Sequence, residues 1–417
     1  MISKWAWLWR LLSRRLWFRA SLISLLAIAA ALGSLLLSPY LPQGLSTSIG
    51  ADAVDRILDI IASSMLAVTT FSLSTMVSAY SAATSNVTPR ATRLLIEDST
   101  TQNVLATFVG SFLYSVVAII TLSMGAYGER GRVVLFVMTL IVIALIIVTL
   151  LRWIDYLLRL GRVGETTDVV EEAATAAMRR RKEKPCLGGQ PLADPDRGIP
   201  DGAQPVFCER IGYVQHLDTA GIAETARGRN GAVYVAALPG TFVDPHRPLA
   251  WCSGFDDIDA LAAIGDAFSV ADERTFDQDP RFGLSVLAEI ASRALSPAIN
   301  DPGTAIDVIG RAVRILSLWA EKAPMEEPLY PELWVPEVKI DDLFDDVFAP
   351  IARDGAGLVE VQIRLQKAFV ALHRIDDSRY AENALRHSAQ ALERAETAMN
   401  FERDRERVRE AAALVRA

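Results

Sequence analysis

One long stretch of the chain carries most of the polar side chains that could act on ions within a membrane. Residues 51–86 contain neither Pro nor Gly, so they suit one continuous helix, long enough at about 1.5 Å per residue to cross a bilayer. On a 3.6-residue period, one side of this helix is polar except at Leu66. This polar face consists of Asp52, Asp55, Asp59, Ser63, Leu66, Thr70, Ser74, Ser78, Ser81 and Ser85.

Two interpretations of the polar face are compatible with its composition. In the first, it lines a water-filled path in a symmetric oligomer, where three carboxylates at the outer mouth favour cations and Leu66 forms a dewetting constriction. In the second, the small hydroxyl side chains let neighbouring helices approach closely and hydrogen-bond within the bundle. The first interpretation predicts an ion channel, and the second predicts only a packed membrane anchor.

A second group of polar residues surrounds two Asp-Pro pairs in the C-terminal half. Asp279 precedes Pro280 and Asp301 precedes Pro302, which is typical of a capping carboxylate ahead of a proline in the first helical turn. A structural role in capping explains this pattern. If the residues do more than cap, they form a regulatory site for an ion or small ligand. The candidates for that site are Asp277, Asp279, Arg293, Asn300 and Asp301.

Motifs typical of enzymes are absent from the sequence. It contains no phosphate-binding glycine loop, no nucleophile elbow and no metalloprotease helix. The three cysteines lack metal-type spacing, and the four histidines are scattered. We therefore predict no catalytic residues, no cofactor and no metal site.

Composition places part of the chain in lipid. Of the 417 residues, 51% are hydrophobic and only 22% are charged, which is too apolar for an ordinary soluble protein of this size. The charges are unevenly distributed, with net +5 up to Leu160 and net −13 beyond it. Because phosphate contacts require clustered Lys and Arg, the acidic second part argues against binding of nucleic acid.

Four membrane spans are predicted, at residues 20–41, 57–86, 101–124 and 133–155. Basic residues interleaved with tryptophans precede the first span, and further basic residues follow the fourth. The positive-inside rule then places both termini in the cytosol.

We predict an α-helical transmembrane bundle of about four spans, followed by a cytosolic α+β domain with a small β-rich module and C-terminal helices. The domains are a transmembrane domain (1–160), a helix and linker (161–204), the β-rich module (205–255) and a mainly helical region (256–417). A weak coiled-coil pattern near the end indicates either oligomerisation or packing within the domain. Its positions are Leu385, Ser388, Leu392, Ala395 and Met399.

Several segments resemble one known protein family. They are residues 293–302 (RALSPAINDP), residues 274–279, residues 212–215 and the serine-rich second span. On these segments the chain resembles the bacterial membrane proteins grouped as domain of unknown function 2254. The resemblance covers most of the chain and implies a protein of the bacterial inner membrane, but it brings no catalytic residues.

The sequence therefore favours a homo-oligomeric, cation-preferring channel or pore of the inner membrane, lined by the second span and gated by the cytosolic domain. Its predicted partners are the lipid bilayer, other copies of the chain and inorganic cations. A membrane-anchored ligand sensor or scaffold without transport is the alternative. A secondary transporter is less favoured, because no inverted repeat and no broken membrane helix is evident.

Overall fold

The computed structural model describes residues 12–13, 15–37, 51–127, 129–194, 197–320 and 327–416. The chain divides into two compact units. The membrane unit comprises Leu8–Ser85 and Thr92–Thr166, and the C-terminal unit includes Asn86–Ala91 and Thr167–Ala417.

The membrane unit is helical. Its helices are α1 (Leu16–Leu37), α2 (Ala51–Asn86), α3 (Pro89–Ile96), α4 (Ser99–Ser123) and α5 (Glu129–Leu157). The first three residues of α3 belong to the C-terminal unit. Among the described residues, three helical stretches are long and apolar enough to cross a membrane: Ala53–Ser85, Ser99–Ser123 and Gly131–Leu157. They overlap the second, third and fourth predicted spans.

The first predicted span lies only partly within the described residues. It overlaps α1, whose apolar part Trp17–Gly33 is shorter than the other three stretches, and residues 38–50 lie outside the described part of the chain. The first predicted span, and with it the total of four spans, therefore stays a prediction.

Small residues and buried hydroxyls hold the membrane helices together. A side chain at Gly110 of α4 would lie 2.9 Å from a methyl group of Ile23 in α1, so glycine lets these helices pack closely. The Tyr127 hydroxyl donates to the carbonyl of Ala31 at 2.7 Å. Between α4 and α5, the hydroxyls of Tyr114 and Thr139 lie 3.1 Å apart.

The C-terminal unit contains two sheets. The strands are β1 (Gly189–Leu192), β2 (Gln204–Val206), β3 (Gly212–Leu217), β4 (Ala232–Val235), β5 (Phe242–Val243), β6 (Ala250–Ser253), β7 (Phe268–Ala271) and β8 (Tyr330–Pro336). One sheet has the order β1-β8-β4-β6-β2, and the other has the order β5-β3-β7. Alternate residues of β3 and β4 are buried, as expected for strands that cover a core on one face.

The described part of this unit also contains nine helices, the first of which begins a few residues before the unit. They are α6 (Val163–Glu183), α7 (Thr219–Arg227), α8 (Ile258–Asp266), α9 (Pro280–Ala294), α10 (Pro302–Ala320), α11 (Ile340–Asp354), α12 (Val359–Ile375), α13 (Asp377–Ala398) and α14 (Glu402–Ala413). A side chain at Gly283 of α9 would collide with Ala174 of α6. The glycine therefore permits close packing of these two helices.

One feature differs from the sequence-based expectations, and a second selects between two alternatives. The segment predicted to be a linker contains β1, which pairs in parallel with β8 from the region predicted to be mainly helical. This pairing joins segments about 140 residues apart, so local patterns do not reveal it. The predicted coiled-coil positions Ala395 and Met399 pack against Val408 of the same unit, which makes this part of the pattern an intrachain contact.

Candidate functional site

The polar face of α2 points away from the other helices of its own bundle. Each of its members with a described side chain is exposed: Asp55, Asp59, Ser63, Leu66, Thr70, Ser74, Ser78, Ser81 and Ser85. Asp52 lies in α2, but its side chain is outside those described. Leu66, the proposed constriction, is 55% exposed. Within the described part of the chain, this face is therefore not used for packing between helices.

The opposite side of α2 forms the contact with α4 and α5. Ile61, Met65 and Met76 are buried in one apolar cluster with residues of these two helices, and Val54 and Leu58 are buried in a second cluster. These side chains lie about half a helical turn from the polar face. The bundle therefore fixes the rotation of α2 and leaves the polar face outward.

Some polar side chains of α2 are turned into the bundle, and Ser72 is among them. Ser72 is fully buried, and its Oγ accepts a hydrogen bond from Trp153 Nε1 at 2.9 Å. Interhelical hydrogen bonding of the kind expected from small hydroxyl residues thus occurs at Ser72, on the buried side of the helix.

Hydroxyl groups along the polar face donate to the backbone of α2. Ser63 donates to the carbonyl of Asp59 at 2.9 Å, Thr70 to that of Leu66 at 2.8 Å and Ser78 to that of Ser74 at 3.1 Å. Because each hydroxyl has one proton but two lone pairs, the outward surface presents acceptor oxygens. Such a surface suits water or cations.

Two further residues lie on this side of α2, although the polar face predicted from the sequence did not include them. Arg56 is exposed next to Asp55 in α2, so a positive charge accompanies the carboxylates at the proposed mouth. Val77 is 60% exposed and lies about three helical turns beyond Leu66, in nearly the same direction. Plotting every residue of 51–86 on the helical period would have revealed both.

The segment that follows α2 contacts α9 within the C-terminal unit. Thr88 Oγ1 donates to Glu289 Oε2 at 2.9 Å, and Arg90 Nη1 donates to Glu289 Oε1 at 2.6 Å. Both oxygens of one carboxylate thus hold residues that lie within four positions of Asn86, the last residue of α2.

The five predicted regulatory-site residues do not form one site. Asp279 caps the start of α9, where its carboxylate accepts from the backbone N–H groups of Arg281 and Phe282. Asn300 and Asp301 follow the end of this 15-residue helix, which separates them from Asp279 by roughly 20 Å at 1.5 Å per residue. Asp277 precedes Asp279, on the far side of α9 from Asn300.

Local structure accounts for Asn300 and Asp301. Asn300 has a φ of 52°, a left-handed conformation that Asn tolerates better than most residues. Asp301 accepts hydrogen bonds from the backbone N–H and the hydroxyl of Thr304 at the start of α10. The Thr304 hydroxyl is the main cause that lowers the pKa of Asp301. Arg293, in the last turn of α9, is half-buried.

The comparisons with known proteins identify a family. The sequence model of a family described as "Predicted membrane protein (DUF2254)" matches residues 13–371. An uncharacterised protein of Mycobacterium tuberculosis (strain H37Rv) is 30% identical over 264 residues, which cover 58% of this chain and 47% of the relative. A protein of Mycobacterium bovis matches to the same extent. The chain thus spans about half the length of these curated relatives, and no solved structure matches it.

Proposed function

Since the chain belongs to the family of predicted membrane proteins grouped as domain of unknown function 2254, we propose that its copies assemble into a cation-preferring channel lined by α2. The observation that carries this proposal is the outward direction of the polar face. The face belongs to a helix that is long and apolar enough to cross a membrane, yet it is exposed in the single chain.

Hydrocarbon is a poor environment for such a surface. Carboxylates and hydroxyl oxygens that face lipid tails lose their contacts with water, whereas copies arranged around an axis place them in a shared water-filled path. Exposed apolar residues of α2, including Ile60 and Phe71, supply contacts between neighbouring copies. In a closed ring of this kind, the polar face of every subunit lies in the same environment.

Cation preference is supported by the chemistry of the polar face. Asp55 and Asp59 are exposed near its start, and Arg56 reduces but does not cancel their negative charge. Further along, the hydroxyl protons are used within the helix, so the oxygens face outward as acceptors. Oxygen atoms are the ligands that alkali and alkaline-earth cations prefer.

The proposed topology has four spans in the inner membrane with both termini in the cytosol. Basic residues before α1 and after α5 support this orientation. The residues directly after α2 belong to the C-terminal unit, which supports a cytosolic location for the end of α2. The contact of Glu289 with Thr88 and Arg90 then gives the cytosolic domain a direct connection to the pore helix.

Ion flux through purified protein in liposomes tests the channel. Leu66→Ser is expected to raise the flux by widening and wetting the constriction, and Asp59→Asn is expected to weaken cation preference. Ile147→Ser is the matched control for Leu66→Ser, because Ile147 of α5 is 52% exposed but lies on another helix. Absence of cation flux in wild type and Leu66→Ser, with assembly verified, would contradict the channel.

Thiol labelling tests the wet path by a second method. In a background with Cys208→Ser, Ser74→Cys should react with a membrane-impermeant thiol reagent, because Ser74 lies on the polar face. Ser72→Cys is the control, since Ser72 is fully buried beside Trp153. Equal protection of the two cysteines would show that the polar face is dry.

A membrane-anchored ligand sensor or scaffold is the second candidate function. It is favoured by the hydrogen bonds that the hydroxyls of α2 form with their own helix, because a hydroxyl with its proton satisfied can lie against a neighbouring helix without a further donor. In that case, alanine at Ser63, Thr70 and Ser74 would leave the function of the protein unchanged.

A further inference from the structure

A charged cavity lies in the C-terminal unit where four segments meet. Its volume is about 440 Å³, within the range typical of small-molecule sites. The walls come from the end of α6, residues 236–247, the start of α9 and residues 336–342. Five basic side chains line it, namely Arg181, Arg247, Arg274, Arg281 and Lys339, together with three acidic ones, Asp279, Glu337 and Asp342.

Arg181 is the most unusual of these residues. It is only 3% exposed, and within the described part of the chain neither its Nε nor its Nη1 has a hydrogen-bond partner. Burial lowers the pKa of this guanidinium to about 10. A buried guanidinium with two unpaired donor groups is unfavourable, so its position on a cavity wall favours a ligand of opposite charge in the cavity.

Asp279 is the acidic neighbour of Arg181, but its oxygens are already engaged. Oδ2 accepts from Arg274 Nε at 2.8 Å, and Oδ1 accepts from the backbone N–H groups of Arg281 and Phe282 at 3.1 and 3.2 Å. Burial raises the pKa of Asp279, although Arg274 opposes this shift. The carboxylate therefore leaves the Arg181 guanidinium poorly compensated.

The remaining charges leave the cavity positive. Arg281 is paired with Asp342 and Asp346, and Arg247 Nη1 donates to a backbone carbonyl at 3.2 Å. Lys339 precedes α11 and forms no side-chain cap, so the positive end of the α11 dipole borders the cavity, although Asp341 and Asp342 in the first turn of that helix reduce its effect. Glu337 is the one acidic lining residue without an assigned ion pair among the described residues.

We propose that this cavity binds a small organic phosphate. Arginine guanidinium groups match the oxygens of phosphate in a bidentate geometry, and an uncapped helix start adds backbone N–H donors. Apolar wall residues such as Leu238, Pro239 and Val338 provide contacts for the organic part of the ligand. The phosphate lies against Arg181, with Arg247 and Lys339 contributing further positive charge.

The cavity and the segment that follows α2 both contact α9. The cavity includes Pro280 and Arg281 at the start of α9, and the same helix carries Glu289, which binds Thr88 and Arg90 directly after α2. Regulation of α2 through α9 rests on the proposed channel function, whereas binding of the phosphate does not. A binding measurement does not depend on transport, so it can show that the phosphate proposal fails even if the channel proposal holds, and the reverse.

Isothermal titration calorimetry on the full chain in a neutral detergent tests the site. The probes are AMP, glycerol 3-phosphate and inorganic phosphate, with adenosine as the control without a phosphate. We expect saturable binding of AMP or glycerol 3-phosphate with one site per chain, tighter than that of inorganic phosphate, and no binding of adenosine. Absence of binding by all three phosphate probes would overturn the proposal. Short-chain phosphatidic acid is titrated in parallel, and binding of this lipid alone would overturn the assignment to a soluble ligand.

Two variants assign the binding to this cavity. Arg181→Met removes the buried charge and should weaken binding at least tenfold without lowering the melting temperature, because the unliganded protein no longer buries an unpaired cation. Arg247→Gln should weaken binding while leaving Arg181 in place. Arg227→Gln is the surface control, since Arg227 lies outside the cavity, paired with Glu332, and should bind like wild type. Unchanged affinity in both cavity variants would overturn the proposal.

Discussion

Arg90 donates a hydrogen bond to Glu289 at 2.6 Å, across 199 positions of the chain. The same carboxylate accepts from Thr88 at 2.9 Å. Because Arg90 lies four residues beyond the end of α2 and Glu289 lies within α9, this contact holds the segment that follows α2 against α9 within the C-terminal unit.

Reversal of this ion pair should be detectable as a compensating pair of substitutions. Arg90→Glu and Glu289→Arg each place like charges together, and each should lower the melting temperature in detergent by roughly 2 °C, since a partly exposed pair contributes up to about 1 kcal/mol. The double reversal restores opposite charges and should recover most of the loss. If the double variant melts at the sum of the two single losses, the contact does not form in solution.

Close packing of α6 on α9 should make Gly283 intolerant of a methyl group. A Cβ at Gly283 would collide with the backbone and side chain of Ala174, so Gly283→Ala should destabilise the protein by about 1–3 kcal/mol. Gly310→Ala is the control, because a Cβ at Gly310 in α10 meets no atom within 4 Å. That change should be neutral or stabilising by up to about 1 kcal/mol. Thermal unfolding of the two variants side by side measures the difference.

His387 should make the C-terminal unit sensitive to mild acid. Burial is the main cause that lowers its pKa to about 4, with Arg386 acting in the same direction and Asp345 opposing it, and three phenylalanine rings surround it. The unfolded chain takes up this proton near pH 6.5 and the folded chain only near pH 4. Stability is therefore fully present above pH 6.5 and falls between these values, by roughly 2 kcal/mol at pH 4.5.

Removal of the titrating ring tests this pH dependence. His387→Gln should flatten the decline in stability between pH 6.5 and pH 4.5, measured by chemical unfolding at several pH values. His246→Gln is the control, because His246 is exposed and its removal should leave the wild-type slope unchanged. A decline of equal steepness in the His387 variant would assign the acid sensitivity to other groups.

Arg311 should contribute more to stability than its neighbour Arg314. Its guanidinium is 10% exposed and contacts three carboxylates, those of Asp168, Glu171 and Asp307. Arg311→Gln leaves these carboxylates close together, so it should destabilise the protein by roughly 1–3 kcal/mol, a range reduced because two of the acids are half exposed.

Arg314→Gln provides the comparison for this network. Arg314 is 59% exposed and, among the described residues, its ion pair is with Glu171, so its loss should cost less than about 1 kcal/mol. The two variants are compared by thermal unfolding at low and high salt. An equal effect of both substitutions would show that the buried position of Arg311 adds nothing to the stability of the protein.

The sequence by itself determined that the chain enters a membrane and that α2 is polar along one side. Both follow from local composition and from a period of 3.6 residues, and the helix starts at Asp279 and Asp301 follow from capping chemistry. The tertiary structure decided that the polar face is turned outward, because packing of Ile61, Met65 and Met76 against α4 and α5 sets the rotation of the helix.

Contacts between distant segments were likewise decided only by the tertiary structure. Neighbouring residues in the chain do not specify that β1 pairs with β8 or that Glu289 binds Arg90. Arg181 belongs to a basic run that the sequence marks as a membrane flank, yet folding buries it beside Asp279 in a cavity. Periodicity and capping are local properties, whereas burial of a charge depends on which remote segments surround it.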